Sequence, residues 1–553
     1  MYMTASVPKH HAAACNAVDV IAQVAVGAKD HGCVLGEAFH NLTGVAAGYH
    51  YIGYRLSCGS GVYIADDGVA GMFANELFKF ICWTTFGQRT SGIKIGHNHL
   101  FVGAEYLELN PEAQKQGVNP LLHFEKKGKH SGARISLLQQ PNQSYQDFKY
   151  PTVEEHQASF TEKFDSIKRK FAKGQKIDVV FFVTSMALFP SKPLFDLMLK
   201  DSRFSPRIAV VPDLRGLGND VEATMAACEK KVVERSGEAS LWKLRPDADG
   251  IWPEVSADII VYPLPQNYSY FKYNPQFSVG RAFVPIFANY GYPSTKFAVE
   301  VLSHYNYAYF CKVFLESQDV LDIYKSGSPI NGTNGVVTGY IKMDELAKYE
   351  YKATGRKRIL IALHHSVEGG ANRILELSNF IRYAEFFKSL PKRYPNVDFV
   401  FRPHPFLFPV LSRPKHWGKE MVERYLSEIK AYPNVFWSEG SEYLEEFALA
   451  DAIVQDCASF LVEWFYTGKQ CCYMLKQESD IEGKFLPVGQ KCLHASHIAY
   501  NQEQIQAFID SIVGEKIISS SDALVAKQAV SVNYPNAAQK ALDELLKCFI
   551  EEK

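Results

Sequence analysis

From Lys176 onward, short apolar runs alternate with longer stretches in which apolar residues recur every three or four positions. Ile177 to Thr184 is apolar except for Asp178 and the closing Thr184, as expected of a parallel strand buried on both faces. Strands are likewise expected at Arg207–Pro212, Asp258–Tyr262, Val284–Ala288, Tyr309–Leu315 and Gly335–Gly339, with helices at Pro193–Lys200 and Thr224–Ser236. The pattern restarts at Lys357. Strands are expected at Arg358–Leu363, Val397–Phe401, from Val435, at Ala452–Val454 and at Cys471–Leu475. Helices are expected at Asn372–Leu390, Trp417–Lys430, Tyr443–Leu449, Phe460–Tyr466, Ile505–Val513 and Asn536–Ile550, with Gly468 as the stop after Tyr466. Alternation of this kind defines an α/β chain with two doubly wound, Rossmann-like domains in tandem.

Ahead of these domains the pattern is weaker. Residues 1–95 are rich in Gly, Ala and aromatic residues, with β-like pieces such as Gly61–Ala65 and a helix expected at Gly71–Trp83, and no function is assigned to them. Residues 96–135 read as a small helical module, with a helix at Ala104–Leu109, a turn at Gly117–Pro120 and a second helix ending near Gly128. Its outline resembles a module attached to bacterial surface-polysaccharide glycosyltransferases, and His123 and His130 in it are read as structural. Residues 136–175 read as a linker followed by a charged helix, Val153–Lys173. The first Rossmann-like domain is then 176–345 and the second, with its closing helices, 346–553.

Composition narrows the class. A chain of 553 residues is too long for a single core. With 47% hydrophobic and 22% charged residues and a formal net charge of −1, it is expected to be globular and not a dedicated nucleic-acid binder. No apolar run is long enough to span a bilayer, and the first twenty residues lack the basic start and apolar centre of a signal peptide. Eleven scattered cysteines without a CxxC pair read as reduced thiols in a cytoplasmic protein.

Polar clusters follow several of the second domain's expected strands, where open α/β sheets bind ligands. His364, His365 and Ser366 follow one strand, Arg402 and His404 the next, and Asp456 and Ser459 a third. The strand–turn–helix around Asp456 points helix N–H groups at whatever sits above the sheet, a ready anion site. Glu463 lies four residues beyond Ser459, on the same helix face, where it could accept sugar hydroxyls. Arg402 could hold a diphosphate with its planar fork. His404 could serve as a general acid or base, or donate to phosphate oxygens. The ordinary alternative is that these residues cap helices and fill a βαβ unit.

Three segments carry a family resemblance: Phe401-Arg402-Pro403-His404-Pro405, Gln455-Asp456-Cys457-Ala458-Ser459 and Thr467-Gly468-Lys469-Gln470. Their order and spacing resemble the CDP-glycerol glycerophosphotransferase family of teichoic-acid and capsule polymerases, and Thr338–Asp344 resembles that family's segment before the second domain. The resemblance implies a GT-B-like arrangement, with His404, Asp456 and Ser459 on the donor and Lys469 in the following turn. The family's first-domain loop carries a histidine thought to be the catalytic base. The corresponding segment here, Ala288–Lys296, keeps Gly291, Pro293 and Lys296, includes Ser294, and has no histidine. Tyr290 stands in that loop, and because a phenol is a poor base at neutral pH, the acceptor-side base is left open.

The reading that follows is a transferase. It moves a sugar or polyol-phosphate group from a nucleotide diphosphate donor to a bacterial surface polysaccharide or lipid-linked glycan. No cofactor or metal is expected, because no DxD-like acidic pair ends a strand, and any contact with the inner membrane face would be peripheral. The rivals are a nucleotide-sugar epimerase of the same architecture and an inactive scaffold that keeps the fold.

Overall fold

In this computed structural model the described residues are 93–95, 99–101, 106–107, 109–115, 123–124, 127 and 152–549, except 187–188, 215–219, 267, 352–354, 369–374, 441 and 516–520. The pieces expected within residues 1–92, His130 and the linker 136–151 lie outside them. The chain divides into two units, one formed by 1–152 with 246–252 and the other by 153–245 with 253–553.

In the first unit, β1 (Ile93–Ile95) and β2 (His99–Phe101) pair antiparallel. The helix α1 (Pro111–Lys115) begins at Pro111, a residue suited to the first turn because it lacks the N–H that would go unpaired there. The Tyr106 hydroxyl lies 2.8 Å from His123 Nδ1, and the Tyr106 and Phe124 rings meet edge to face at 5.8 Å. His123 thus has a packing partner, as a structural histidine should.

The second unit contains two parallel sheets. The first comprises β3 (Ile177–Val183), β4 (Phe204–Val210), β5 (Leu241–Trp242), β6 (Ile259–Tyr262), β7 (Val284–Ala288), β8 (Lys312–Leu315) and β9 (Gly335–Val337), in the order β5-β4-β3-β6-β7-β8-β9. The second comprises β10 (Lys357–Leu363), β11 (Val397–Pro403), β12 (Val435–Trp437), β13 (Ala452–Gln455), β14 (Gln470–Met474) and β15 (His497–Ala499), in the order β12-β11-β10-β13-β14-β15. Each order runs outward from its first strand and then reverses, the doubly wound signature, so the chain carries two Rossmann-like α/β domains in tandem. The reversal in the second sheet falls between β10 and β13, which pair from Ile359↔Ala452 to Ala362↔Gln455.

Burial on both faces explains the apolar runs. Ile359, Ile361 and Leu363 of β10 join a core with Phe399 and Phe401 of β11, Val454 of β13, and side chains of α8 (Phe380–Arg393), α10 (Gly418–Lys430) and α15 (Gln502–Val513). The intervening Leu360, Val400 and Ile453 are buried too. Around the first sheet lie α2 (Val153–Ala158), α3 (Phe160–Ala172), α4 (Lys192–Lys200), α5 (Val221–Ser236), α6 (Phe297–Leu302) and α7 (Gln318–Gly327). The second domain adds α9 (Leu407–Leu411), α11 (Leu444–Leu449), α12 (Ala458–Phe465), α13 (Asp480–Lys484), α14 (Pro487–His494) and α16 (Ser521–Val530), and α17 (Ala537–Phe549) ends the described chain.

Several expected elements differ. The charged helix Val153–Lys173 is two helices, interrupted at Ser159, whose hydroxyl donates to the His156 carbonyl at 2.7 Å. Buried His156 lies 2.5 Å from the Tyr309 carbonyl, and Lys163 donates to the Ser278 carbonyl at 2.6 Å. The helix expected from Asn372 starts at Phe380. The amides of Leu377 and Asn379 donate instead to the Ser366 hydroxyl and the Asp456 carboxylate, which holds them out of a helix. α12 begins at Ala458, two residues early, with Cys457 at its cap position and no side-chain capping bond, so neither Asp456 nor Ser459 caps it. The final helix, expected to close the second domain, returns to the first. Phe549 meets Phe164 of α3 at 5.9 Å, and Asp344 accepts from the amides of Ala537 and Ala538 at 3.2 and 2.7 Å.

Candidate functional site

Ligands of open α/β sheets bind beyond the carboxyl ends of the strands, at the point where strand order reverses. In the second domain that point is the end of β10 beside β13. The His364 amide donates to Asp456 Oδ1 at 2.7 Å, and the Asn379 amide donates to Asp456 Oδ2 at 2.6 Å. The Asp456 carboxylate therefore joins the end of β10 to the start of α8. Its burial raises its pKa to about 7, against the opposing effect of those two amides.

Above this joint the aromatic rings gather. The His365 and His404 centroids are 4.0 Å apart with planes 33° apart, and His364 lies 4.5 Å from His365 and 5.7 Å from His404. Phe406, 61% exposed, completes the cluster at 5.5 Å from His404 and 6.0 Å from His365. His404 is brought here because its amide donates to the Leu363 carbonyl at 2.8 Å, extending the β10–β11 pairing by one bond. Burial lowers the His364 pKa to about 3 and that of His404 to about 4, with the neighbouring histidines adding to the effect, and burial lowers that of His365 as well. All three rings are therefore neutral at neutral pH. Nδ1 of His364 accepts from the Ser366 amide at 3.3 Å, and Nδ1 of His404 accepts from the Phe406 amide at 3.1 Å. This places the ring protons on the two Nε2 atoms, available to donate. His365 Nδ1 is buried without a hydrogen-bond partner among the described residues.

Arg402, Lys469 and Glu463 lie elsewhere in the domain and are already engaged. Arg402 donates to the Ser438 hydroxyl at 2.5 Å, the Gly440 carbonyl at 2.7 Å and Glu446 at 3.1 Å. Lys469 donates to the carbonyls of Phe447, Ala448 and Ala450 at 3.0, 2.5 and 2.7 Å, at the carboxyl end of α11. Buried Glu463 accepts from the hydroxyls of Tyr340, at 3.0 Å, and Tyr443, with the Lys342 ammonium 3.6 Å away. Burial lowers the Lys342 pKa and raises those of Tyr340 and Tyr443 well above the phenol range. Ser459 is half-buried on the first turn of α12.

The first-domain loop splits into two parts. Tyr290 is 44% exposed, and Gly291 faces open space. Ser294, by contrast, donates to the Ala458 carbonyl at the start of α12 at 2.8 Å, its own carbonyl accepts from the Leu486 amide at 2.9 Å, and the Lys296 amide donates to the Lys484 carbonyl at 2.8 Å. The loop thus bonds the first domain to the second. Sequence reasoning missed Tyr340, Lys342 and Tyr443 around Glu463, because their convergence depends on how two distant segments meet. It also missed Glu316, although a charged residue directly after a buried strand was visible.

No protein-family model matches the chain, and no curated protein matches it. Among solved structures, it is similar to the UDP-GlcNAc 2-epimerase from Neisseria meningitidis bound to UDP-GlcNAc, at 14% identity and a TM-score of 0.40, over 68% of this chain and 100% of that one. It is similar to the wall teichoic acid polymerase TagF at 12% identity and a TM-score of 0.41, over 67% of this chain and 88% of that one. It is also similar to the UDP-GlcNAc 2-epimerase from Methanocaldococcus jannaschii, at 10% identity and a TM-score of 0.39, over 67% of this chain and 99% of that one. Among the described residues, no helix is long and apolar enough to cross a membrane, and no group of three or more His, Cys, Asp or Glu side chains is arranged to hold a metal ion.

Proposed function

We propose that this chain is an enzyme acting on a nucleotide-activated donor, with the donor's phosphates at the carboxyl edge of the second sheet, and that it transfers the activated group to a glycan or lipid-linked acceptor. One observation carries the reading: three neutral histidines from two adjacent strand ends converge at the reversal of strand order, beside the start of α12. In this reading His364 and His404 donate Nε2–H to phosphate oxygens, and the amides opening α12, with Ser459, complete the anion site. Phe406 offers an exposed ring to a base or sugar face. Arg402, Asp456, Glu463 and Lys469 position these elements through the bonds they already make. Leaving-group stabilisation then rests on hydrogen bonds and helix amides fixed before the donor arrives, the economical form of electrostatic catalysis.

A second reading, epimerisation of a nucleotide sugar, is favoured by the bonds tying Ser294 and Lys296 to residues 458, 484 and 486. They occupy part of the loop expected to receive an acceptor, which suits a small substrate.

The test is a donor screen. CDP-glycerol, CDP-ribitol and UDP-, GDP-, CMP- and dTDP-sugars are each added to wild type and to His404→Ala, and thermal stabilisation, freed nucleotide and altered sugar are measured. One donor should stabilise wild type, with affinity about 10–100-fold weaker in the variant, the loss expected for a hydrogen bond to a charged group. Freed nucleotide identifies transfer and an altered sugar identifies epimerisation. Absence of stabilisation and turnover with every donor overturns both in favour of the scaffold.

A further inference from the structure

Glu316 directly follows β8, at the carboxyl edge of the first sheet, and is 1% exposed. Its Oε1 accepts from Asn289 Nδ2 at 2.8 Å, and the same amide group donates to the Gly291 carbonyl at 2.8 Å. One asparagine thus joins the carboxyl group to the loop in which the acceptor-side base was sought. The other oxygen, Oε2, is buried without a hydrogen-bond partner among the described residues. Such a group costs about 1–3 kcal/mol, so it calls for an explanation.

Burial raises the Glu316 pKa to about 8, against the lowering effect of its own amide and of Asn289. Neither of those groups is a cation. Burial raises the pKa values of the Tyr292, Tyr307, Tyr340 and Tyr466 phenols, and the Glu316 charge adds to each shift. Tyr340 also reaches Glu463 of the second domain. Through Asn289, Glu316 is tied to the segment that carries exposed Tyr290 and open Gly291, and Ser294 of the same loop bonds the Ala458 carbonyl at the start of α12. For an acceptor hydroxyl to reach Oε2, which is buried here, that segment must move aside.

We propose that Glu316 is the proton acceptor of the first domain, with Oε2 taking the proton from the hydroxyl that attacks the donor. This rests on the transferase reading above. In the step, the acceptor oxygen forms a bond to the transferred group as that group's bond to the nucleotide phosphate oxygen breaks. The bonding pair leaves on the phosphate, and the hydroxyl proton passes to the Glu316 carboxylate. Asn289 holds the carboxylate in place through Oε1, and no histidine is needed in the loop.

The experiment measures turnover against pH with the donor identified in the screen, for wild type, Glu316→Gln and Glu316→Ala, with donor binding measured in parallel. Wild-type turnover should rise with pH, with its midpoint near pH 8, and level off above it, because only the ionised carboxylate accepts a proton. Glu316→Gln, which keeps the shape and the Asn289 bond, should bind donor as wild type does but lose about 10²–10⁴-fold in turnover, together with the pH-dependent limb. Added formate should restore part of the turnover of Glu316→Ala. A Glu316→Gln variant that binds and turns over as wild type does, with the pH limb intact, overturns the assignment and leaves the transferase reading standing. Absence of donor binding and turnover in wild type overturns both.

Discussion

At the residue scale, the decisive feature of the second domain is that its carboxylates and cations mostly meet partners inside the protein, while the histidine cluster is only partly engaged: Nδ1 of His364 and of His404 accept backbone amides, and His365 Nδ1 has no partner among the described residues. Asp456 illustrates the first group. Each of its oxygens receives one backbone amide, so Asp456→Asn would turn one acceptor into a donor facing an N–H. The variant should lose about 1–3 kcal/mol, measured by urea unfolding at neutral pH. The sign of the pH dependence follows from the raised pKa. The folded state keeps the Asp456 proton up to about pH 7, whereas the unfolded chain releases it near pH 4, so this residue's contribution to stability falls as pH rises between the two. That component should vanish in Asp456→Asn, and an unchanged slope would assign the dependence to other groups. The residue types at this site were legible in the sequence because Asp, Arg and His after strand ends are conspicuous. Their partners were not: the bond from Asp456 to Asn379 joins residues 77 apart and depends on where α8 begins.

At the element scale, the strands were legible because parallel strands buried on both faces must be apolar throughout, and the structure puts β3, β7, β10 and β13 within one or two residues of their expected limits. Helix starts were less legible. That of α8 is set by tertiary bonds from the residues before it to Ser366 and Asp456, and α12 starts at Ala458 without a side-chain capping bond. α11 shows the same principle at its other end, where Lys469 from a distant turn donates to three carbonyls that α11 leaves unpaired. Burial lowers the Lys469 pKa to about 8, yet the ammonium form is the one that can satisfy all three acceptors. Lys469→Met keeps the apolar stem and removes the donors. It should cost about 2–4 kcal/mol and raise amide exchange in residues 444–451, detected by hydrogen-exchange mass spectrometry. Unaltered exchange there would mean that solvent caps the helix equally well.

At the scale of the whole molecule, the two Rossmann-like domains are coupled through a few identifiable bonds. Ser294 and Lys296 of the first domain bind residues 458, 484 and 486 of the second, Tyr340 bonds to Glu463, and α17 carries the end of the chain back to α3. Gly489 lies at the first of these contacts, on α14. A Cβ there would stand 2.4 Å from the Ser294 carbonyl oxygen and 3.1 Å from the Phe485 ring. The nearer neighbour is backbone, so the first-domain loop must retreat, while the apolar cores of both domains remain intact. Gly489→Ala should therefore weaken the contact by about 1–3 kcal/mol, the usual cost of forcing atoms into a packed site. Amide exchange should rise at residues 294–296 and 484–486 and stay unchanged in β10 and β13. If donor binding closes the two domains on one another, the same variant should bind donor more weakly without any change at His364, His365 or His404, because part of the binding energy must restore the lost contact. Weaker interdomain protection with undiminished donor affinity would show that the histidine cluster works within the second domain alone. Protection unchanged by the new methyl group would show that the loop and α14 separate freely in solution.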